Sequence, residues 1–138
     1  MKKFTTYVLT LMVAIFALSS TKALAGDQDS IWEANANQNG TVLKAKYKES
    51  PDNGLVDQTL EVELNNAPPG VKVSVAINGL VIGSMTTDGF GRAVLRLDKF
   101  GQIPGPDGRP TGPRIETGDT IRVFRGNAGI EADFVQTQ

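Results

Sequence analysis

The alternation of apolar and polar residues is sharpest over residues 68–97, PPGVKVSVAINGLVIGSMTTDGFGRAVLRL. Two strand-like runs, 71–77 and 80–86, flank Asn78-Gly79. That dipeptide is the preferred centre of a type I′ hairpin turn, because both central residues need φ > 0. A two-residue turn fixes the register: Ile77 opposite Leu80, Val75 opposite Ile82 and Val73 opposite Ser84. These residues share one face, because side chains alternate along a strand. A second turn, Asp88-Gly89-Phe90-Gly91, returns the chain into 92–97. The pattern predicts a three-stranded antiparallel meander with one apolar face.

The same period of two recurs on both sides of this stretch. Residues 31–36 (IWEANA) alternate weakly and predict a short first strand, in which Trp32, the single Trp, reads as a core or edge plug or as a ligand-stacking ring. Gln38-Asn39-Gly40 is turn chemistry. Residues 41–48 (TVLKAKYK) place Leu43, Ala45 and Tyr47 on one face and Lys44, Lys46 and Lys48 on the other. Residues 58–65 (QTLEVELN) match them, with Leu60, Val62 and Leu64 inward and Glu61 and Glu63 outward, so lysines and glutamates are expected to meet across the pair. Ala67-Pro68-Pro69-Gly70 cannot lie inside a ladder and is read as a loop. Residues 119–125 (DTIRVFR) and 130–135 (IEADFV) are the last two strands. Ile121, Val123, Ile130, Ala132 and Phe134 point inward, Phe124 points to the other face, and Arg122 is expected to meet Glu131 and Asp133. No helix-period segment appears after the first 25 residues. The fold class is all-β: a single small antiparallel β-sandwich of about seven strands.

Between the sixth and seventh runs the period stops. Residues 98–118 (DKFGQIPGPDGRPTGPRIETG) are rich in Pro and Gly, and a loop of this length inside a small domain is commonly functional. Its Phe100, Arg109 and Arg114 are the candidate partner contacts, for a protein or a glycan. A proline-stiffened connector is the alternative reading.

Composition narrows the function. The chain has 138 residues and a net charge of −1. Lys2 and Lys3, an apolar run over 7–18 and Ala23-Leu24-Ala25 describe a secretory signal peptide over 1–25, with cleavage expected after Ala25. The domain then spans 26–138, and losing Lys2, Lys3 and Lys22 leaves it more acidic than the full chain. That balance argues against a nucleic-acid surface. No membrane span is expected in the mature chain, because the apolar run is shorter than the ~20 residues a spanning helix needs. There is no Cys and no His. Disulfides, Cys/His zinc sites, haem with a His or Cys ligand and Ser-His or Cys-His nucleophile pairs are therefore excluded.

Several motifs can be weighed against specific chemistry. Asp52, Asp57, Asp88, Asp98, Asp107 and Asp119 are oxygen donors of the kind Ca²⁺ takes, with Asp107-Gly108 beside Asp98 the best pair. Asp before Gly is equally plain turn chemistry, and the D-x-D-x-D-G spacing is missing. Glu61 and Glu63 form a surface pair without a cleft between them, unlike the acids of a glycosidase. Gly89-Phe90-Gly91 leads into a strand, whereas phosphate-cradling loops lead into a helix.

One combination of motifs carries a resemblance. Ala67-Pro68-Pro69-Gly70, Val75-x-Ile77-Asn78-Gly79-x-x-Ile82-Gly83, Thr87-Asp88-x-x-Gly91-x-Ala93 and Gly118-Asp119-x-Ile121 together resemble a group of short exported bacterial β-domains. The Thr87-Asp88-x-x-Gly91-x-Ala93 portion is also similar to bacterial Ig-like and prealbumin-like surface modules, where this turn joins two strands of a sandwich. The resemblance covers about residues 60–123 and implies structural, adhesive or spacer roles. It brings no catalytic motif. The expected function is a non-catalytic, exported binding or structural module of the bacterial cell envelope, periplasmic or extracellular, contacting its partner through 98–118 and using no cofactor. The alternative is a small periplasmic binding protein for Ca²⁺ or a small anionic ligand.

Overall fold

The computed structural model describes residues 28–52, 55–102 and 114–138. The expected signal peptide, Asp107 and Arg109 lie outside the described residues. Among the described residues nine strands follow one another: β1 (Ser30–Gln38), β2 (Thr41–Asp52), β3 (Leu55–Asn65), β4 (Lys72–Ile77), β5 (Leu80–Thr86), β6 (Ala93–Gln102), β7 (Thr120–Arg125), β8 (Ala128–Asp133) and β9 (Val135–Gln136). They form two antiparallel sheets, β6-β3-β2-β1-β9 and β5-β4-β7-β8, packed face to face. The protein is therefore an all-β sandwich. Among the described residues no helix is long and apolar enough to cross a membrane.

Alternation places the core where the pattern predicts it. Leu43, Ala45 and Tyr47 of β2, Leu60, Val62 and Leu64 of β3, and Ile121, Val123, Ile130, Ala132 and Phe134 are all buried. Burying one such aliphatic or aromatic side chain stabilises the fold by about 1.5–3 kcal/mol. Trp32 is buried against Tyr47, ring centroids 5.6 Å apart, so it serves the core. The outer face of the five-stranded sheet carries the charge rows. Lys44 lies opposite Glu63 and Lys46 opposite Glu61, as expected. The ion pairs of these two glutamates, however, reach the other way, to Arg96 of β6 from Glu61 at 3.8 Å and to Arg92, just before β6, from Glu63 at 3.6 Å.

The hairpin turn is as expected, but the meander is not. Asn78 and Gly79 both have positive φ, 48° and 81°, as a type I′ turn requires. Ile77 faces Leu80, yet the register then shifts, so Val75 faces Gly83 and Val73 faces Met85. The physical reason lies in what the strict register would bury. It would turn the Ser84 hydroxyl inward and Met85 outward; the bulge reverses this, leaving Met85 buried and Ser84 exposed. Gly83 then sits under Leu95, where an added Cβ would lie 3.0 Å from a methyl carbon. Leu80, at the tip, is 69% exposed despite facing Ile77.

β5 and β6 do not pair. After Thr86 the chain crosses to the other sheet, and β6 lies along β3, with Leu97, Leu95 and Ala93 opposite Leu60, Val62 and Leu64. β6 also runs on to Gln102, beyond Leu97 where the alternation faded. The end of the Pro/Gly-rich stretch belongs to the core, since Ile115 is fully buried. The last patterned run divides at Phe134, because the chain changes sheets there and its two final ladder residues pair with Trp32 and Glu33 of β1.

The crossing from β5 to β6 is fastened to the earlier crossing from β3 to β4. The Thr87 hydroxyl, buried, donates to the Pro68 carbonyl (2.6 Å) and accepts from the Val71 N–H (2.8 Å). Thr87 N–H donates to the Val71 carbonyl (2.9 Å), and Gly70 N–H to the Thr87 carbonyl (3.1 Å). Asp88 closes the turn itself: its Oδ1 accepts from the N–H groups of Arg92 (2.9 Å) and Phe90 (2.8 Å), which hold the carboxyl below the usual aspartate range. Phe90 at the tip is 93% exposed. Gly91 has φ 76° and lies flat on Ala67, where a Cβ would come within 2.0 Å of the Ala67 carbonyl oxygen.

Gly89 has open space around it and Gly91 has none. Gly91→Ala is therefore expected to abolish folding or to lower stability by several kcal/mol, on the order of 3 or more, from backbone overlap plus strain at positive φ. Gly89→Ala should change stability by roughly 0.5 kcal/mol or less. Urea unfolding of the two variants checks this, and comparable stabilities would contradict it.

Candidate binding cleft

In an antiparallel succession, alternate connections fall at the same end. The β1–β2, β3–β4, β5–β6 and β7–β8 connections gather at one end, called the lower end below. The first is a tight turn through Asn39 and Gly40, with φ 51° and 85°, in which Asn37 Oδ1 accepts the Gly40 N–H at 3.2 Å. The second leaves β3 through Asn66 (φ 57°) into Ala67-Pro68-Pro69-Gly70. The fourth turns through Gly126 (φ 56°).

Between these connections the two sheets part and leave a cleft of about 390 Å³. Leu64, Val73, Val123 and Ile130 supply an apolar floor; Ala67, Pro68 and Val71 supply a wall. Gln38, Asn39, Thr41 and Arg125 form a polar rim. The lining contains one cation and no carboxylate. Arg125 is exposed, and its side chain makes no hydrogen bond or ion pair among the described residues. A second groove of about 420 Å³ adjoins it, sharing Gln38, Gly129 and Ile130, and carries one charge of each sign, Arg122 and Glu131. Arg122 and Glu131 are paired in register, as expected, but the Arg122 guanidinium lies over the Phe124 ring at 5.2 Å and donates to the Asn127 carbonyl at 3.5 Å. Asp133 accepts the Thr120 hydroxyl instead.

The described residues of the opposite, upper end pack more tightly. A small apolar cavity of about 40 Å³ lies there among Tyr47, Leu60, Ile77, Ile82, Leu97 and Ile115, with Gln58 at its edge. A polar chain runs beside it. Gln58 Nε2 donates to the Tyr47 hydroxyl (2.8 Å), which donates to Glu49 Oε1 (2.7 Å), and Arg114 Nε lies 3.5 Å from the same oxygen. Gln58 Oε1 is buried without a hydrogen-bond partner among the described residues. Burial first, and then the hydrogen bond to Glu49, push the Tyr47 phenol far above its ordinary value.

The residues singled out from sequence fall in different places. Arg114 sits at the upper end with its guanidinium between Glu49 and Glu116 (3.8 Å), beside buried Ile115. Phe100 lies on β6 by its backbone; its side chain, and all of Arg109, lie outside the described residues. Of the carboxylates weighed as Ca²⁺ ligands, Asp88 and Asp119 lie in turns, whereas Asp57 and Asp98 lie within β3 and β6 and not at turns as expected. Asp119 accepts from Asn78 Nδ2 (2.9 Å) and the Glu116 N–H (2.7 Å), Asp98 pairs with Arg96 (3.1 Å), and Asp88 closes its own turn. Among the described residues no three acidic groups gather as a metal site. The lower cleft and Arg125 were not read from the sequence. The available signal was strand parity, which sends the polar turns at 38–41 and 125–128 to the same end as the Ala67-Pro68-Pro69-Gly70 loop.

Compared with known proteins, the sequence matches no family model and no curated protein.

The Tyr47 phenol gives a pH test. A raised folded pKa means that its contribution to stability is fully present below the unfolded value of about 10 and drains away as the pH rises above it. Ultraviolet titration should show Tyr47 still un-ionised at about pH 10.5 in the folded protein, with stability falling above that pH. Tyrosinate absorbance rising with an ordinary midpoint near 10 in folded protein would contradict the burial of the Tyr47 hydroxyl.

Proposed function

We propose that the chain is a non-catalytic binding module exported to the bacterial cell envelope, taking its ligand or partner at the lower end of the sandwich. The observation that carries this reading is the cleft itself. Its volume falls at the small end of the range of ligand pockets, its floor is apolar, and its polar groups are few and sit at the rim. Elsewhere Asp88 and Asp119 are engaged in turns and Glu63 in an ion pair, which favours binding over chemistry. The three-part leader over 1–25 supports export. The 98–118 segment, approached from sequence as a contact for a protein or glycan, is a second contact of the same module at the upper end, and the burial of Ile115 favours a segment anchored where it rejoins the sandwich.

The reading is tested by photo-cross-linking in cells from single probes at Asn39, Glu116 and Lys46. Adducts from Asn39 that are absent from Lys46, on the charged outer face, support the lower end as the contact. Adducts from Glu116 alone move the contact to the upper segment and overturn the assignment to the cleft. No adduct from Asn39 or Glu116 contradicts the binding-module reading as a whole.

A further inference from the structure

We infer that the lower cleft holds a small amphiphile of one kind: an unbranched alkyl chain ending in a single carboxylate. This rests on the reading of the lower end as a binding surface and names its ligand class. The floor of Leu64, Val73, Val123 and Ile130 offers only apolar contacts, so the part of a ligand that enters must be apolar. At the mouth, Arg125 presents a guanidinium that has no partner among the described residues, and no carboxylate lines the cleft to compete for it. A planar guanidinium suits a carboxylate through two parallel N–H···O bonds. The rim amides of Gln38 and Asn39 add uncharged donors beside it.

Charge also selects which way the chain lies. The adjoining groove carries Arg122 and Glu131 together and so offers an anion no net attraction, whereas the cleft lining has Arg125 as its one charge, so the head group stays at Arg125 and the tail points between the sheets. One cation and no second basic residue in the lining match a single negative charge better than a phosphate dianion. The size of the cleft suits a small molecule over a folded partner.

The test is titration calorimetry of the purified exported protein with hexanoate, octanoate and decanoate, and with octylamine and octanol as controls. Affinity should rise about fourfold per added methylene until the cleft is filled, as apolar burial requires. Octanoate should bind at least tenfold more tightly than octylamine. Arg125→Gln should weaken octanoate about tenfold or more while leaving octanol unchanged, the size expected for a charge-assisted hydrogen bond. Arg125 is exposed, so the variant should fold, and its melting temperature checks that. Ala128→Trp, at the mouth, should block all chain lengths. Equal binding of octanoate and octylamine, an unaltered Arg125→Gln affinity, or no binding at millimolar concentration each overturns the ligand class. If the amphiphiles fail while Asn39 cross-links persist, the binding-module reading stands without this ligand; if both fail, both readings fall.

Discussion

One hydroxyl group fastens the two crossings between the sheets to each other. Thr87 begins the passage from the four-stranded sheet to the five-stranded one, and Pro68 to Val71 make the return passage in the opposite sense. The Thr87 side chain bonds to both ends of that return, and the flanking backbone adds two more bonds. Gly91 lies on Ala67 and gives its carbonyl to the Ala67 N–H at 3.1 Å. Two segments with no regular structure of their own thus satisfy each other's polar groups, which neither sheet can supply. A comparable clamp works at the upper end. Asn78 bonds to Asp119 and Thr120 through its side chain and to the Thr120 carbonyl through its N–H, tying the β4–β5 hairpin to the start of β7.

These contacts explain why the turn motifs occur together in the sequence. Ala67-Pro68-Pro69-Gly70 and Thr87-Asp88-x-x-Gly91 are the two halves of the lower clamp. Asn78-Gly79 and Gly118-Asp119 are the two halves of the upper one, with Gly118 N–H also donating to the Phe134 carbonyl at 2.9 Å. The apolar alternation supplies the energy of burial but is the same for every strand. It is the polar connections that distinguish this arrangement of strands from others with an equal core.

The strands were legible in the sequence because burial on one face imposes a period of two, and Val73, Val75, Leu43 and Val62 are buried as that period demands. Which strand lies beside which was not legible. β6 alternates in the same way whether it pairs with β5 or with β3, and a short glycine-containing turn reads as a hairpin. The register of β4 and β5 was lost for a related reason: the Asn-Gly turn is a local signal, whereas the bulge answers to the distant demand that Met85, not Ser84, fill the core. The candidate site was less legible still. Arg125, Gln38 and Asn39 are separated by most of the chain and come together only through strand parity. Arg114 was visible as a charged residue in a long loop, but its engagement by Glu49 depends on the far side of the sandwich.

With these bonds in place, the two crossings should open no more easily than the sheets themselves. Native-state hydrogen exchange measures this residue by residue. The N–H groups of Ala67, Gly70, Val71 and Thr87 lie in connections, where exchange is ordinarily fast, yet they are expected to open only with global unfolding, with the same free energy as Val62 and Val75. Rapid exchange at these four positions while the strand amides stay protected would show that the crossings are loose and that the sheets are held by apolar contact alone.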